Sequence, residues 1–144
     1  KCVSPLVDFL GGTRFLEVID DDFVEAKVVR KVLFCSGKVY YDLLERQKAK
    51  DVKDIAIVRL EQLYPFPEKQ FQVLLKRYLN ARQWCWVQEE PENMGAWGFV
   101  LRTFPKTGNS LELVARDADS SPAVGFPQVH SVQQENLVQR AFEE

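Results

Sequence analysis

The chain has 144 residues, 46% of them hydrophobic and 28% charged, with 19 basic residues against 21 acidic ones. This is the balance of one globular domain long enough to bury a core. A net charge of −2 without a basic stripe argues against a general nucleic-acid binder.

Residues 4–12 (SPLVDFLGG) predict a short helix, with Ser4 as N-cap, Pro5 in the first turn and a Gly11–Gly12 stop. Residues 13–22 read as a linker or edge segment ending in an acidic run. Residues 28–35 (VVRKVLFC) form a β-branched apolar strand halted at Ser36–Gly37, and residues 38–50 follow at helical spacing. Residues 54–60 (DIAIVRL) are a second strand, broken by YPFP at 64–67. Residues 68–79 make a helix with Phe71, Leu74, Leu75 and Tyr78 on one face. A third strand covers 84–88 (WCWVQ), a glycine-bearing helix roughly 94–104, a fourth strand 111–115 (LELVA) and a last helix 129–142.

Strand and helix alternate, and the strands are nearly continuous apolar runs. Both features predict a three-layer α/β fold, a mostly parallel sheet with helices on both faces. Residues 1–27 are expected as a leading helix and linker, and 28–144 as a single α/β domain. Ligands of such sheets sit beyond the carboxyl ends of the strands. The loops to inspect therefore begin at Ser36–Gly37, Glu61–Pro67, Gln88–Gly95 and Arg116–Gly125.

Several residues there could carry chemistry. Free amides at the start of a helix hold phosphate, and in CSGK (35–38) Lys38 could assist, although the glycine pattern of a phosphate loop is absent. Glu89 and Glu90 are adjacent on an extended segment and point to opposite sides, so they do not form an acid/base pair. Trp84 and Trp86 share one side of a strand, as core residues would. Trp97 follows Gly95–Ala96 and suits either an interface or the core. Ser120 or Ser121 with His130 lacks the GxSxG elbow of a serine hydrolase. Arg59, a cation within an apolar strand, needs a carboxylate or phosphate partner. No complete catalytic set and no metal-ligand set emerge. Cys2, Cys35 and Cys85 show no paired spacing, and with His130 the only histidine they read as buried free thiols of a reducing compartment. No apolar run reaches the roughly 18 residues of a membrane span. Lys1 at the start suggests a piece of a longer protein, and some of the ten Phe, four Tyr and three Trp are expected to face a partner.

Four motifs occur in order: SGKVYYDLLE (36–45), DIAIVRLEQLYPFP (54–67), QEEPENMGAW (88–97) and SPAVGFPQVH (121–130). Together they resemble the C-terminal domain of the thiamine-diphosphate-dependent, decarboxylating component of 2-oxoglutarate dehydrogenase, over essentially the whole chain. The resemblance implies a transketolase C-terminal type of fold that packs on the other domains and helps form a homodimer. It implies no catalytic and no cofactor-binding residue in this domain. In the parent enzyme, thiamine diphosphate and Mg2+ lie between the amino-terminal and middle domains. There the cofactor ylid attacks 2-oxoglutarate, carbon dioxide leaves, and the succinyl group passes to the lipoyl arm of the second component, within the tricarboxylic acid cycle.

By the motif match, Glu89, Glu90, Asn93 and Trp97 would shape an interface. The alternatives are a regulatory nucleotide or acyl-CoA module, with Lys38, Arg59, Gln62 and Lys69 as effector-binding candidates, and the equivalent domain of a 2-oxoadipate dehydrogenase. Family members with an acyl-CoA site carry an arginine cluster where this chain has Glu68–Lys69–Gln70, and Asp117 and Asp119 stand where the family has proline and serine. Both departures weaken anion binding. The expected location is the bacterial cytoplasm, or alternatively the mitochondrial matrix.

Overall fold

The computed structural model describes residues 3–104 and 110–143; Cys2, expected as a free thiol, lies outside them. Five strands form one sheet in the order β1-β3-β2-β4-β5. They are β1 (Val18–Ile19), β2 (Lys31–Cys35), β3 (Ile55–Leu60), β4 (Gln83–Pro91) and β5 (Leu111–Arg116). The pairs β2–β3, β2–β4 and β4–β5 are parallel, and the short β1 runs antiparallel to β3. Four helices connect and cover them: α1 (Val39–Ala49), α2 (Glu68–Arg77), α3 (Trp97–Thr103) and α4 (Pro127–Phe142).

Alternation along the strands makes the three layers. In β2, Val32 and Phe34 enter a cluster with Phe71, Leu74, Tyr78, Trp84, Trp86 and Val100. Leu33 and Cys35 point the other way, toward Val39, Leu43, Val114, Leu137 and Ala141. The first face is therefore covered by α2 and α3, and the second by α1 and α4. Rings dominate the first face. Phe34 stacks on Phe71 with centroids 4.7 Å apart and on Trp84 at 5.9 Å, and Phe104 meets Phe71 edge-on at 5.8 Å. Each buried ring of this kind stabilises by about 2 to 3 kcal/mol relative to leaving it in water.

Part of the segment before residue 28, from Val18 on, packs onto the sheet. The strand β1 closes one edge of the sheet, and Val24 is buried in the aromatic cluster. The Asp20–Asp22 run is built into the fold. The buried Asp21 carboxylate accepts the N–H of Phe23 at 2.7 Å and of Val24 at 3.2 Å through one oxygen. Its other oxygen accepts the Ile57 N–H at 2.7 Å and Gln47 Nε2 at 2.8 Å. Because β1 is only two residues long, the outer edge of β3 at Ile57 lacks a strand partner, and a side chain supplies the acceptor. Asp20 accepts the Tyr78 hydroxyl at 2.7 Å and pairs with Arg77.

Several boundaries differ from the expected ones. Residues 6–9 form a single 3-10 turn capped at Pro5 without a side-chain bond, so Ser4 does not act as its cap. The strand expected from 28 begins at Lys31, because Ala26–Val28 is another 3-10 turn. Strand β4 extends to Pro91, which pairs with Arg116 beyond a bulge, so Glu89 and Glu90 lie inside the strand. Helix α3 begins only at Trp97, because Gly95 at φ 68° holds the preceding residues in a turn. Helix α4 begins at Pro127, where the fixed φ of proline suits the first turn.

Candidate functional site

The carboxyl ends of β2, β4 and β5 converge on one rim, and Gln88 organises its centre. This side chain is buried. Its Oε1 accepts Trp86 Nε1–H at 2.9 Å and the Trp97 main-chain N–H at 3.1 Å. Its Nε2 donates to the carbonyls of Pro91 at 3.0 Å and Met94 at 2.8 Å. One amide therefore holds the whole 88–97 turn. A Cβ at Gly95 would stand 3.0 Å from that amide, so glycine is needed there both for its positive φ and for the close approach. Sequence reasoning singled out the neighbouring glutamates and passed over Gln88, because a glutamine at a strand end carries no chemical signature.

Around Gln88 the polar groups bond to one another. Lys38 Nζ reaches Glu89 Oε1 at 2.6 Å and Asp42 Oδ2 at 3.3 Å. Burial works against the ammonium charge, but the hydrogen bonds and charges of Glu89 and Asp42 outweigh it and hold its pKa above the usual lysine value. Gln134 Nε2 donates to the same two carboxylates at 2.7 and 2.8 Å, while its Oε1 accepts Arg116 Nη2 at 2.9 Å. Arg116 Nη2 also lies 3.2 Å from His130 Nδ1, and since a guanidinium only donates, that nitrogen accepts. This network stitches α1, β4, β5 and α4 together. Glu90 is exposed, and the two adjacent glutamates have separate surroundings.

A second brace links two loops. Asn93 Nδ2 donates to the Asp119 carbonyl at 2.9 Å, and the Asp119 N–H donates back to Asn93 Oδ1 at 3.2 Å. Asp119 Oδ1 in turn accepts the Ser121 N–H at 3.0 Å, which lowers its pKa although the carboxylate is open to water. Ser121 Oγ donates to the Ala123 carbonyl at 2.8 Å. Ser121, Glu89 and His130 thus each engage other groups and do not assemble into a nucleophile–base pair.

On the far side of the rim, Arg59 Nε lies 2.8 Å from Glu61 Oε1 and its Nη1 donates to the Tyr41 hydroxyl at 3.1 Å. The Nε contact is ionic, since the N–H is not aimed at the oxygen. The guanidinium also sits over the Tyr40 ring, 4.4 Å from its centroid. Gln62 donates to the Pro65 carbonyl at 2.8 Å, and Lys69 is exposed on the first turn of α2. Of the four effector-binding candidates, Lys38 and Arg59 have carboxylate partners within the chain.

Trp84 and Trp86 are core residues, as the alternation of β4 predicts. Trp97 is half-buried and packs on the same cluster. Cys35 and Cys85 are free and buried. Burial pushes the Cys85 thiol up to about 11 and the Cys35 thiol higher, so neither is a nucleophile near neutral pH.

Uncovered apolar surface is the other feature of this end of the molecule. Val3, Leu6, Val7, Phe9, Leu10, Phe15 and Leu16 are all exposed along one stretch, Phe9 by 74%. Phe126, Val129 and Val132 are exposed at the amino-terminal end of α4, and Tyr64 at the YPFP corner is 83% exposed. Large exposed apolar patches on a soluble protein mark surfaces that meet a partner.

Comparison with known proteins places these features. Residues 3–142 match the family model described as 2-oxoglutarate dehydrogenase C-terminal. The chain is 43% identical over 143 residues to a 2-oxoglutarate dehydrogenase E1 component from Cupriavidus necator, covering 97% of this chain and 15% of that protein. It is 42% identical to the protein of the same name from Haemophilus influenzae, with the same coverage. It is also 43% identical to a 2-oxoadipate dehydrogenase complex component E1 from Danio rerio, covering 97% of this chain and 16% of that protein. The chain thus spans about one-sixth of the length of the relatives it matches.

Proposed function

The chain belongs to the 2-oxoglutarate dehydrogenase C-terminal family, and we propose that it serves as the packing and dimer-assembly domain of a thiamine-diphosphate-dependent 2-oxoglutarate dehydrogenase. The parent protein would decarboxylate 2-oxoglutarate and pass the succinyl group to the lipoyl-bearing second component of its complex. The other domains of the parent chain and a second copy of the parent are the proposed contacts of this domain. No helix among the described residues is long and apolar enough to cross a membrane. The proposed location is the bacterial cytoplasm, with the mitochondrial matrix as the alternative.

The observation that carries this reading is the exposed apolar stretch from Val3 to Leu16 beside a rim whose polar groups bond to each other. Burying a few hundred Å² of such surface against other domains stabilises an assembly by several kcal/mol. On this reading Glu90, Asn93 and Trp97 shape the contact surface from the 88–97 turn, and Glu89 fixes the turn through Lys38 and Gln134.

We place thiamine diphosphate and Mg2+ in the remainder of the parent protein. Among the described residues no three His, Cys, Asp or Glu side chains gather as metal ligands. On this reading this chain takes no chemical step. The test is to assay the 144-residue chain alone with thiamine diphosphate, Mg2+, 2-oxoglutarate and ferricyanide as electron acceptor. No carbon dioxide release above the protein-free rate is expected, and enzyme-dependent release would overturn the assignment.

A second reading concerns the substrate. The relative from Danio rerio, named for 2-oxoadipate, matches as well as the 2-oxoglutarate enzymes do. Comparing the parent on the two oxo acids decides between them.

A further inference from the structure

Residues 120–134 are the longest run of the sequence without an Asp, Glu, Lys or Arg, 15 residues where a 28% charged chain would place about four. Nearly all of the run is open to water. Only Val124, His130, Gln133 and Gln134 are half-buried, and none of the fifteen is buried. Exposed surface normally carries charge, and its depletion beside apolar and aromatic side chains marks the core of an interface. Phe126, Val129 and Val132 supply the apolar side chains. Helix α4 buries Leu137, Val138 and Ala141. The turn of the helix sets Val129 and Val132 on the side away from these three.

The patch is also held in shape. Asn93 and Asp119 fix the loop that leads into it, and the Asp119 carboxylate accepts the Ser121 N–H. Ser121 Oγ donates to the Ala123 carbonyl at 2.8 Å and Ser131 Oγ to the Pro127 carbonyl at 3.0 Å, so these hydroxyls are satisfied within the segment. A surface ordered in advance loses less freedom when it meets a partner.

The missing charge also bears on what covers the patch. A twofold contact sets a surface against its own copy, so a charge near the axis meets the same charge. A charge-free surface avoids that repulsion, whereas a surface fitted to a different partner gains from charges matched to it. The exposed stretch of residues 3–16 differs on this point, since it carries Asp8 and Arg14. It leads into β1, at the opposite edge of the sheet from β5, to which α4 is tied through Arg140 and the Ala115 carbonyl. The two patches therefore meet different surfaces.

We infer that Phe126, Val129 and Val132 pack against the same patch of a second copy across a twofold axis, with α4 beside α4. This rests on the dimer-assembly reading above and assigns the surface that the second copy meets. Three side chains fall well short of the roughly 800 Å² per partner of a self-standing dimer. The contact thus closes one part of a dimer that other domains of the parent also hold.

Cysteine substitution in the intact parent tests it. Phe126→Cys, Val129→Cys and Val132→Cys, made one at a time, are treated with copper–phenanthroline or a short bis-maleimide. At least one is expected to give a covalent two-chain product in higher yield than Leu79→Cys, an exposed site behind α2 that serves as the collision control. Val129 and Val132 are exposed, so the Val129→Asp, Val132→Asp double variant keeps the fold. It sets like charges face to face and is expected to raise the dimer dissociation constant of the parent by at least about tenfold in sedimentation. In a dimeric parent, crosslinking no better than the control, or an unchanged dissociation constant, would overturn the inference and leave the dimer reading standing. A monomeric wild-type parent would overturn the dimer reading, and this contact with it.

Discussion

Asn93 and Asp119, 26 residues apart, bond to each other in both directions. The Asn93 amide donates to the Asp119 carbonyl at 2.9 Å and accepts the Asp119 N–H at 3.2 Å. The β4–α3 turn and the β5–α4 loop are thereby fixed as one surface. Because the brace is exposed, its contribution to stability is modest, of order 1 kcal/mol or less. Asn93→Ala is expected to leave the fold intact and to speed hydrogen exchange at the Asp119 amide by about fivefold or more. An unchanged rate would show that the loop is held by other contacts.

Gln88 has the larger effect. Gln88→Leu removes the shared partner of Trp86 Nε1, Trp97 N, Pro91 O and Met94 O. Leaving buried groups without partners costs about 1 to 3 kcal/mol each, reduced where the turn relaxes into water. A loss of roughly 3 kcal/mol in urea unfolding is expected. The Trp86 side-chain NH signal should shift in the same variant.

Asp21 serves the opposite side of the sheet in the same manner. Asp21→Ala strips the acceptor from Ile57 N–H and Gln47 Nε2 in the core. The expected destabilisation is about 3 kcal/mol, with the amide of Ile57 losing its exchange protection ahead of the β2–β4 ladder. A loss below about 1 kcal/mol would mean that the edge of β3 finds another acceptor.

The thiols set a pH limit. Burial raises both, Cys85 to about 11 and Cys35 further, from an ordinary value of 9.0. A raised pKa means that the folded state holds its proton more tightly than the unfolded chain does. The stability linked to these thiols is present in full below pH 9 and is lost as the pH climbs through the folded values. At pH 8, peptide mapping after iodoacetamide should find Cys35 and Cys85 unlabelled in the folded chain and labelled in guanidinium. Rapid labelling in the folded chain would contradict their burial.

Much of this was legible in the residues themselves. The nearly continuous apolar runs VVRKVLFC and WCWVQ announced strands covered on both faces, and Phe71, Leu74, Leu75 and Tyr78 announced the buried face of α2, all of which the structure contains. Less legible were features that depend on partners distant in the chain. Nothing local distinguishes a solvated acidic run from Asp21, whose partner Ile57 lies 36 residues on. Gln88 looked ordinary because its role comes from four groups that meet only once β4 has turned at Gly95. The end of β4 was placed at residue 88, whereas the bulge after Val87 lets the strand continue to Pro91, which pairs with Arg116.

The central claim is that the apolar surface around residues 3–16 is covered by the rest of the parent protein, and hydrogen exchange tests it most directly. In the chain alone, the amides of Asp8, Leu10 and Thr13 bond only within that stretch, so rapid exchange is expected there. In the intact parent, the account predicts exchange at least about tenfold slower across residues 3–16. Equal rates in the two samples would contradict it.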